Sequence, residues 1–277
     1  MHRTKEALSS SAEPVRLNAS SNPHRPRAKS SALLIAGVRE NPLSRKVAGE
    51  EGVALAQRFA AVTPEFPECI RARDIHSRRT IVQHYDRISQ VVVLGVGLDV
   101  KPLELASKRQ AWYGIDLAEG LALRAELLSG ASLEERYFTV VEADLRGDEW
   151  DARLRSAGFD GAQPTLFIVE GLSMYMPLPS LNGLFTKLRN LTVQEDCLVW
   201  MDHFSHEFFV MAEPTVKSFI DSMARMGEPF VTGFSTVEWL NETGWSNAST
   251  TRAKDLVTDT APVLGEYLFS VLCRRRS

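Results

Sequence analysis

The segment Val91-Val-Val-Leu-Gly95-Val-Gly97-Leu-Asp99 decides how the chain reads. Four branched apolar residues in succession predict a strand buried on both faces, and the two glycines predict a tight turn at its end. Glycine there lets backbone approach a ligand, and amides at the next helix N-terminus point toward it. Working outward, Ala111–Ile115, Tyr137–Val141, Thr165–Val169 and Cys197–Met201 are further short apolar runs. Helix-length segments fall between them near residues 101–109, 117–129, 148–157 and 178–191. Strand–helix alternation at this spacing predicts a parallel sheet covered on both faces, an α/β fold.

What flanks this core differs in kind. Residues 1–30 are rich in Ser, Pro and Arg/Lys with little apolar periodicity, which predicts a flexible N-terminal segment. Residues 31–88 carry apolar side chains at helical spacing, punctuated by Pro64 and Pro67, with a further helix expected from about Arg73 to Tyr85. They are expected to cap the α/β core of residues 89–277, so that 31–277 form one domain. A long amphipathic stretch runs from Glu207 to Met226, and another from Thr236 to Thr243 that the Gly244–Trp245 break closes. Glu266–Cys273 alternates like a strand.

Composition removes several function classes. The 32 Lys+Arg against 35 Asp+Glu leave a net charge of −3, without the basic surplus of a dedicated nucleic-acid binder. No apolar run approaches the ~18 residues of a membrane span. Cys69, Cys197 and Cys273 are scattered and form no CxxC pair, so they suggest neither a disulfide framework nor a zinc site. Buried thiols in a reducing compartment fit that usage, and a cytoplasmic enzyme is the expectation.

A strand followed by GxG serves NAD, FAD and S-adenosylmethionine alike, or is a structural turn. The next strand ends narrow the choice. Asp116 closes the second strand, placed to accept the hydroxyls of a nucleoside ribose, although a helix cap is its plainer role. Asp144 follows the third strand and Glu170 the fourth. Ligands of open α/β sheets bind at this edge. The dinucleotide fingerprint needs a third small residue where Val100 stands, and Asp99 would repel a diphosphate. A sulfonium and an amine are instead attracted by acids. As strand-end carboxylates facing a cleft, Asp116 and Glu170 are expected to be replaceable without unfolding the protein.

The stretches LGVGLD (94–99), GID (114–116), EADLR (142–146) and PTLFIVEGLSMYMP (164–177), in that order, resemble the leucine carboxyl methyltransferase family, which includes polyketide O-methyltransferases. The resemblance implies a class I methyltransferase (Rossmann-like) fold, with a seven-stranded, mostly parallel sheet, a helical N-terminal cap and a helical lid inserted near 204–235. It implies S-adenosylmethionine as cofactor. Gly95 and Gly97 would line its methionine portion, Asp116 would hold the ribose, Asp144 and Leu145 the adenine, and Glu170 would sit by the methionine end. An arginine before the first strand would pair with the cofactor carboxylate. Arg73 is the choice, with Arg71 its competitor. Arg39 is a weak match to the family's N-terminal basic residue.

Tyr175, and His203 in the segment Asp202–Glu207, are expected on loops over the transferable methyl, as catalytic candidates. His203 and His206 form an HxxH pair without a third ligand, so no metal is expected. The reading is an O-methyltransferase acting on a carboxyl or hydroxyl group of a small molecule, with secondary metabolism as its setting. Its alternatives are a protein C-terminal carboxyl methyltransferase and, from another class, an NAD(P)-dependent oxidoreductase. Nothing in the sequence fixes the oligomeric state.

Overall fold

The computed structural model describes residues 27–257 and 260–276, with side-chain environments from residue 30 onward. Of the expected N-terminal segment, residues 1–26 lie outside the described residues, and residues 27–30 open a helix instead. Seven strands form one sheet: β1 (Gln90–Leu94), β2 (Ala111–Asp116), β3 (Phe138–Glu142), β4 (Thr165–Val169), β5 (Leu198–Phe204), β6 (Trp245–Arg252) and β7 (Leu268–Arg275). Their order is β3-β2-β1-β4-β5-β7-β6, and β7 alone runs against its neighbours. The chain reverses its winding between β1 and β4. That places the glycine turn after β1 beside the end of β4, at the switch point where open α/β sheets form a crevice. Strands β1, β4 and β5 are buried along their whole length, as near-continuous apolar runs predict, β5 enclosing Asp202 and His203 as well.

Helices cover both faces. Toward one face turn Val92, Leu94, Phe167, Val199 and Met201, packed by α6 (Trp150–Ser156) and α7 (Leu178–Leu191). Toward the other turn Val91, Val93, Leu166, Ile168 and Trp200, packed by α3 (Phe66–His84), α4 (Lys101–Leu105) and α5 (Ala118–Gly130). Before α3 come α1 (Arg27–Val38) and α2 (Pro42–Val62). Two further helices, α8 (His206–Val210) and α9 (Pro214–Arg225), lie between β5 and β6, and α10 (Leu264–Tyr267) precedes β7.

Several sequence boundaries shift for identifiable reasons. Pro67 does not end a helix; it stands in the first turn of α3, where its missing N–H costs nothing. The helix therefore begins at Phe66 rather than Arg73. The stretch 207–226 divides because Pro214 starts a new helix, capped by the Glu213 carboxylate accepting the Val216 N–H. Strand β6 was hidden because WSNASTTR is largely polar. It is an edge strand with most of its side chains in solvent, so burial left no imprint on it.

The pairing of α1 with α2 positions Arg39, which follows α1. A Cβ on Gly37 would stand 2.2 Å from the Gly52 carbonyl oxygen and 2.9 Å from the Val53 nitrogen. Both are backbone atoms, so the helices would have to separate. Gly37→Ala is expected to lower stability by ~1–3 kcal/mol, the usual cost of overpacking, read as a shift of the urea midpoint at unchanged slope. An unchanged midpoint would show that the two helices tolerate separation.

Candidate active site

The glycine turn after β1 is built around Asp116. Gly95 and Gly97 adopt left-handed φ values of 69° and 46°, which side-chain-bearing residues rarely take. Asp116 Oδ2 accepts the Gly97 N–H at 2.7 Å, and Oδ1 accepts the Leu117 N–H at 2.8 Å. Burial pushes the Asp116 carboxyl above its ordinary range, and these two amides oppose the rise. Asp116 thus serves as a brace for the turn, and each oxygen retains a second lone pair that could accept from a ligand.

Beside the turn lies a buried charge cluster. Arg39 reaches Glu170 Oε1 at 2.5 Å and Asp99 Oδ1 at 3.3 Å, and lies 3.8 Å from Asp74. Arg73 lies 3.3 Å from both Glu170 and Asp202. Lys101, wholly buried, contacts Glu170 at 2.7 Å, Asp99 at 2.9 Å and Asp74 at 3.5 Å. Arg78 closes the rim by pairing with Asp74 and Glu104. Burial alone would raise the Glu170 carboxyl, but Lys101, Arg39 and Arg73 hold it well below the ordinary carboxylate range. Asp99 is likewise held down against burial by Lys101 and Arg39. Asp202 goes the other way: burial raises it, only partly offset by Arg73 and the Gly171 amide it accepts.

Of the residues singled out from sequence, Arg73 and Glu170 meet in this cluster, and Gly97 and Asp116 meet beside it. Arg71 points elsewhere, pairing with Glu68 at a half-exposed site. Glu170 does not face an open cleft as expected: its side chain is only 5% exposed and is the hub of three cations. Asp144 is exposed at the third strand end, where the Arg146 side chain hydrogen-bonds it and lowers its carboxyl. Leu145 packs against the sheet core beside it. Arg39, the weak match, is central, Lys101 and Asp74 enter unannounced, and Asp202, expected only as the start of a loop, pairs with Arg73. The clue for Lys101 was a charge inside the first helical turn after GxGLD, where a solvated side chain is the default reading.

His203 calls for a correction of placement. It lies inside β5, on the sheet face opposite its neighbour Asp202, because successive strand residues alternate. It stacks on Phe269 and meets the edge of Phe234, its Nδ1 lies 3.0 Å from the Phe204 carbonyl, and its Nε2 has no partner. Burial lowers it to about 4, so the ring is neutral near pH 7. A histidine lowered in the fold gives stability that is full above the unfolded value near 6.5 and fades as pH falls toward 4. His203→Phe is therefore expected to flatten the acid limb, by roughly 3 kcal/mol relative to wild type between pH 6.5 and 4. Parallel acid denaturation curves for the two proteins would show that His203 titrates normally.

Tyr175 closes a single 3-10 turn, Ser173–Tyr175, and its ring lies 5.3 Å from that of Phe230. Burial raises its hydroxyl above the ordinary range. With Arg73, Phe66, Phe204, Phe219 and Phe230 it lines a small apolar cavity beside the charge cluster. Among the described residues no group of three His, Cys, Asp or Glu side chains is arranged for a metal ion. No helix there is long and apolar enough to cross a membrane.

Comparison with known proteins fits this arrangement. Residues 30–189, more than half of the chain and including every member of the cluster but Asp202, match the family model described as leucine carboxyl methyltransferase. The chain belongs to the leucine carboxyl methyltransferase family. A relative from Mycobacteroides abscessus, provisionally named an S-adenosyl-L-methionine-dependent methyltransferase, is 36% identical over 44% of this chain and 39% of its own length. Another so named, from Mycolicibacterium smegmatis, is 31% identical over 59% of this chain and 57% of its own length. The chain thus matches well under two thirds of these relatives' lengths. Among solved structures, a DUF574 family protein from Streptomyces avermitilis superposes with a TM-score of 0.63 at 16% identity, covering 88% of this chain and 97% of that one. A methyltransferase, so named provisionally, from Thermobifida fusca gives 0.62 at 14% identity, covering 91% and 95%. These likenesses establish the class I methyltransferase fold.

Proposed function

We propose that this protein is an S-adenosylmethionine-dependent O-methyltransferase acting on a carboxyl or hydroxyl group of a small molecule. The observation that carries the reading is the buried cluster of Arg39, Arg73 and Lys101 with Asp99, Glu170 and Asp202, set against the glycine turn. Both signs of charge are present, as the ammonium and carboxylate of a methionine moiety require. The guanidinium Nε atoms of Arg39 and Arg73 face Asp74 at 3.8 Å and Glu170 at 3.3 Å without a well-aligned hydrogen bond, so a ligand carboxylate could compete for them. The relatives named as S-adenosylmethionine-dependent support the same cofactor, and family membership favours it over NAD(P).

In this reading Arg73 meets the cofactor carboxylate and Glu170 its amine. Gly95 and Gly97 bring backbone close to the methionine portion, Asp116 accepts from the ribose, and Asp144 with Leu145 holds the adenine. When bound, the cofactor supplies an electrophilic methyl group. The chain orients the acceptor and excludes water, and positioning alone is worth effective molarities on the order of 10⁵–10⁸ M. A carboxylate acceptor is ionised at neutral pH and needs no base. His203, neutral and turned to the opposite face, is poorly placed as one. Tyr175 borders the apolar cavity and is the better candidate for touching an acceptor.

Calorimetric titration tests the cofactor directly. S-adenosylhomocysteine is expected to bind and to raise the melting temperature through mass action, with NAD and NADP leaving it unchanged. Stabilisation by NAD and none by S-adenosylhomocysteine would overturn the reading.

A further inference from the structure

Lys101 is wholly buried, an unusual state for an ammonium unless it is fully paired. Its three N–H donors face three carboxylates: Glu170, Asp99 and Asp74. Its own backbone N–H donates to Asp99 Oδ1 at 2.9 Å, tying the residue to the glycine turn from both ends. We propose that Lys101 is a positioning residue that keeps the Glu170 carboxylate charged and fixed for the cationic end of the cofactor, an inference that rests on the S-adenosylmethionine reading above.

The surroundings of Glu170 show why the lysine matters. The segment after α1 contributes Arg39, α3 contributes Arg73 with Asp74 one step out, the glycine turn contributes Asp99, β5 contributes Asp202 and α4 contributes Lys101. Arg39 is divided among three acids, and Arg73 is shared between Glu170 and Asp202. Without Lys101, two cations would serve four carboxylates, with Arg78 relieving only Asp74 at the rim. In a buried site the cheapest compensation for a lost cation is a proton. A protonated Glu170 would offer no charge to an ammonium.

The test is titration of the full chain with S-adenosylhomocysteine from pH 5.5 to 8.5, with a melting curve at each pH. In wild type, Glu170 is ionised throughout and adds no pH dependence. Lys101→Met is expected to bind within a few-fold of wild type at pH 8.5 and to weaken progressively as pH falls, by up to about tenfold per pH unit at the acid end. Lys101→Arg should restore the flat profile. Should Lys101→Met not fold, the double variant Lys101→Met/Asp99→Asn removes one charge of each sign and still leaves Glu170 without its lysine. It should show an acid weakening of the same sign but smaller, because Asp99 no longer competes for Arg39. Adding Glu170→Gln to Lys101→Met should abolish the pH dependence. Profiles of Lys101→Met and Lys101→Met/Asp99→Asn parallel to wild type, including a uniform loss at every pH, would overturn the proposal and leave the cofactor reading standing. Absence of wild-type binding at every pH would overturn both.

Discussion

Glu170→Ala is expected to lower the melting temperature of the ligand-free protein by on the order of 10 °C. The carboxylate is 5% exposed and lies within 3.3 Å of Arg39, Arg73 and Lys101. Removing one partner of a buried ionic group leaves uncompensated charge and costs ~3–5 kcal/mol, far more than the net worth of the pairing itself. The three cations would each lose a close contact, and because Asp99, Asp74 and Asp202 keep each of them partly paired the loss falls toward the lower end of that range. Glu170→Gln, which keeps the shape and one carbonyl acceptor, should lose less. Arg71→Ala is the matched control: its pair with Glu68 is half exposed, where such contacts are worth ~0–1 kcal/mol. Scanning calorimetry of the three variants decides the matter. A Glu170→Ala transition within a degree of wild type would mean that the cluster reorganises freely and is no fixed recognition site.

The limits of sequence reading follow from what leaves a pattern behind. Strands β1 and β4 were legible because burial on both faces forces unbroken apolar runs, and Thr165–Val169 was located to the residue. Asp116 and Glu170 were legible because a strand's end is visible and an acid beyond it is conspicuous. Lys101, Asp74 and Asp202 were not, and Arg39 only faintly, since each is a single charge with partners far away in sequence. The Arg39–Glu170 contact spans 131 residues. No local period records such a meeting; it is produced by the α1–α2 packing and by the crossover that sets β4 beside β1. His203 was misplaced for a related reason. Reading Cys197–Met201 as the whole strand left Asp202 and His203 on a loop, whereas antiparallel pairing with β7 carries β5 on to Phe204. Extending the strand by three residues assigns Asp202 to one face and His203 to the other.

Asp116→Ala is expected to weaken S-adenosylhomocysteine binding by roughly ten- to hundredfold, with only a modest change in the melting temperature of the ligand-free protein. Two effects add. The carboxylate braces the glycine turn through the Gly97 and Leu117 amides, and without it Gly97 has less reason to hold its left-handed conformation. In addition, in the proposed binding mode the ribose hydroxyls would lose a charged acceptor, which for charge-assisted hydrogen bonds is worth ~1.5–3 kcal/mol. The brace sits at the mouth of the site and is half-buried, so solvent can satisfy the released amides when no ligand is present. That separates it from Glu170, whose released partners stay enclosed. Asp116→Asn should fall between, since its carbonyl can accept one of the two amides while its NH₂ confronts the other donor. The opposite pattern, a large fall in melting temperature with unchanged affinity per folded molecule, would make Asp116 a structural brace alone. The ribose would then have to be held elsewhere along the second strand end.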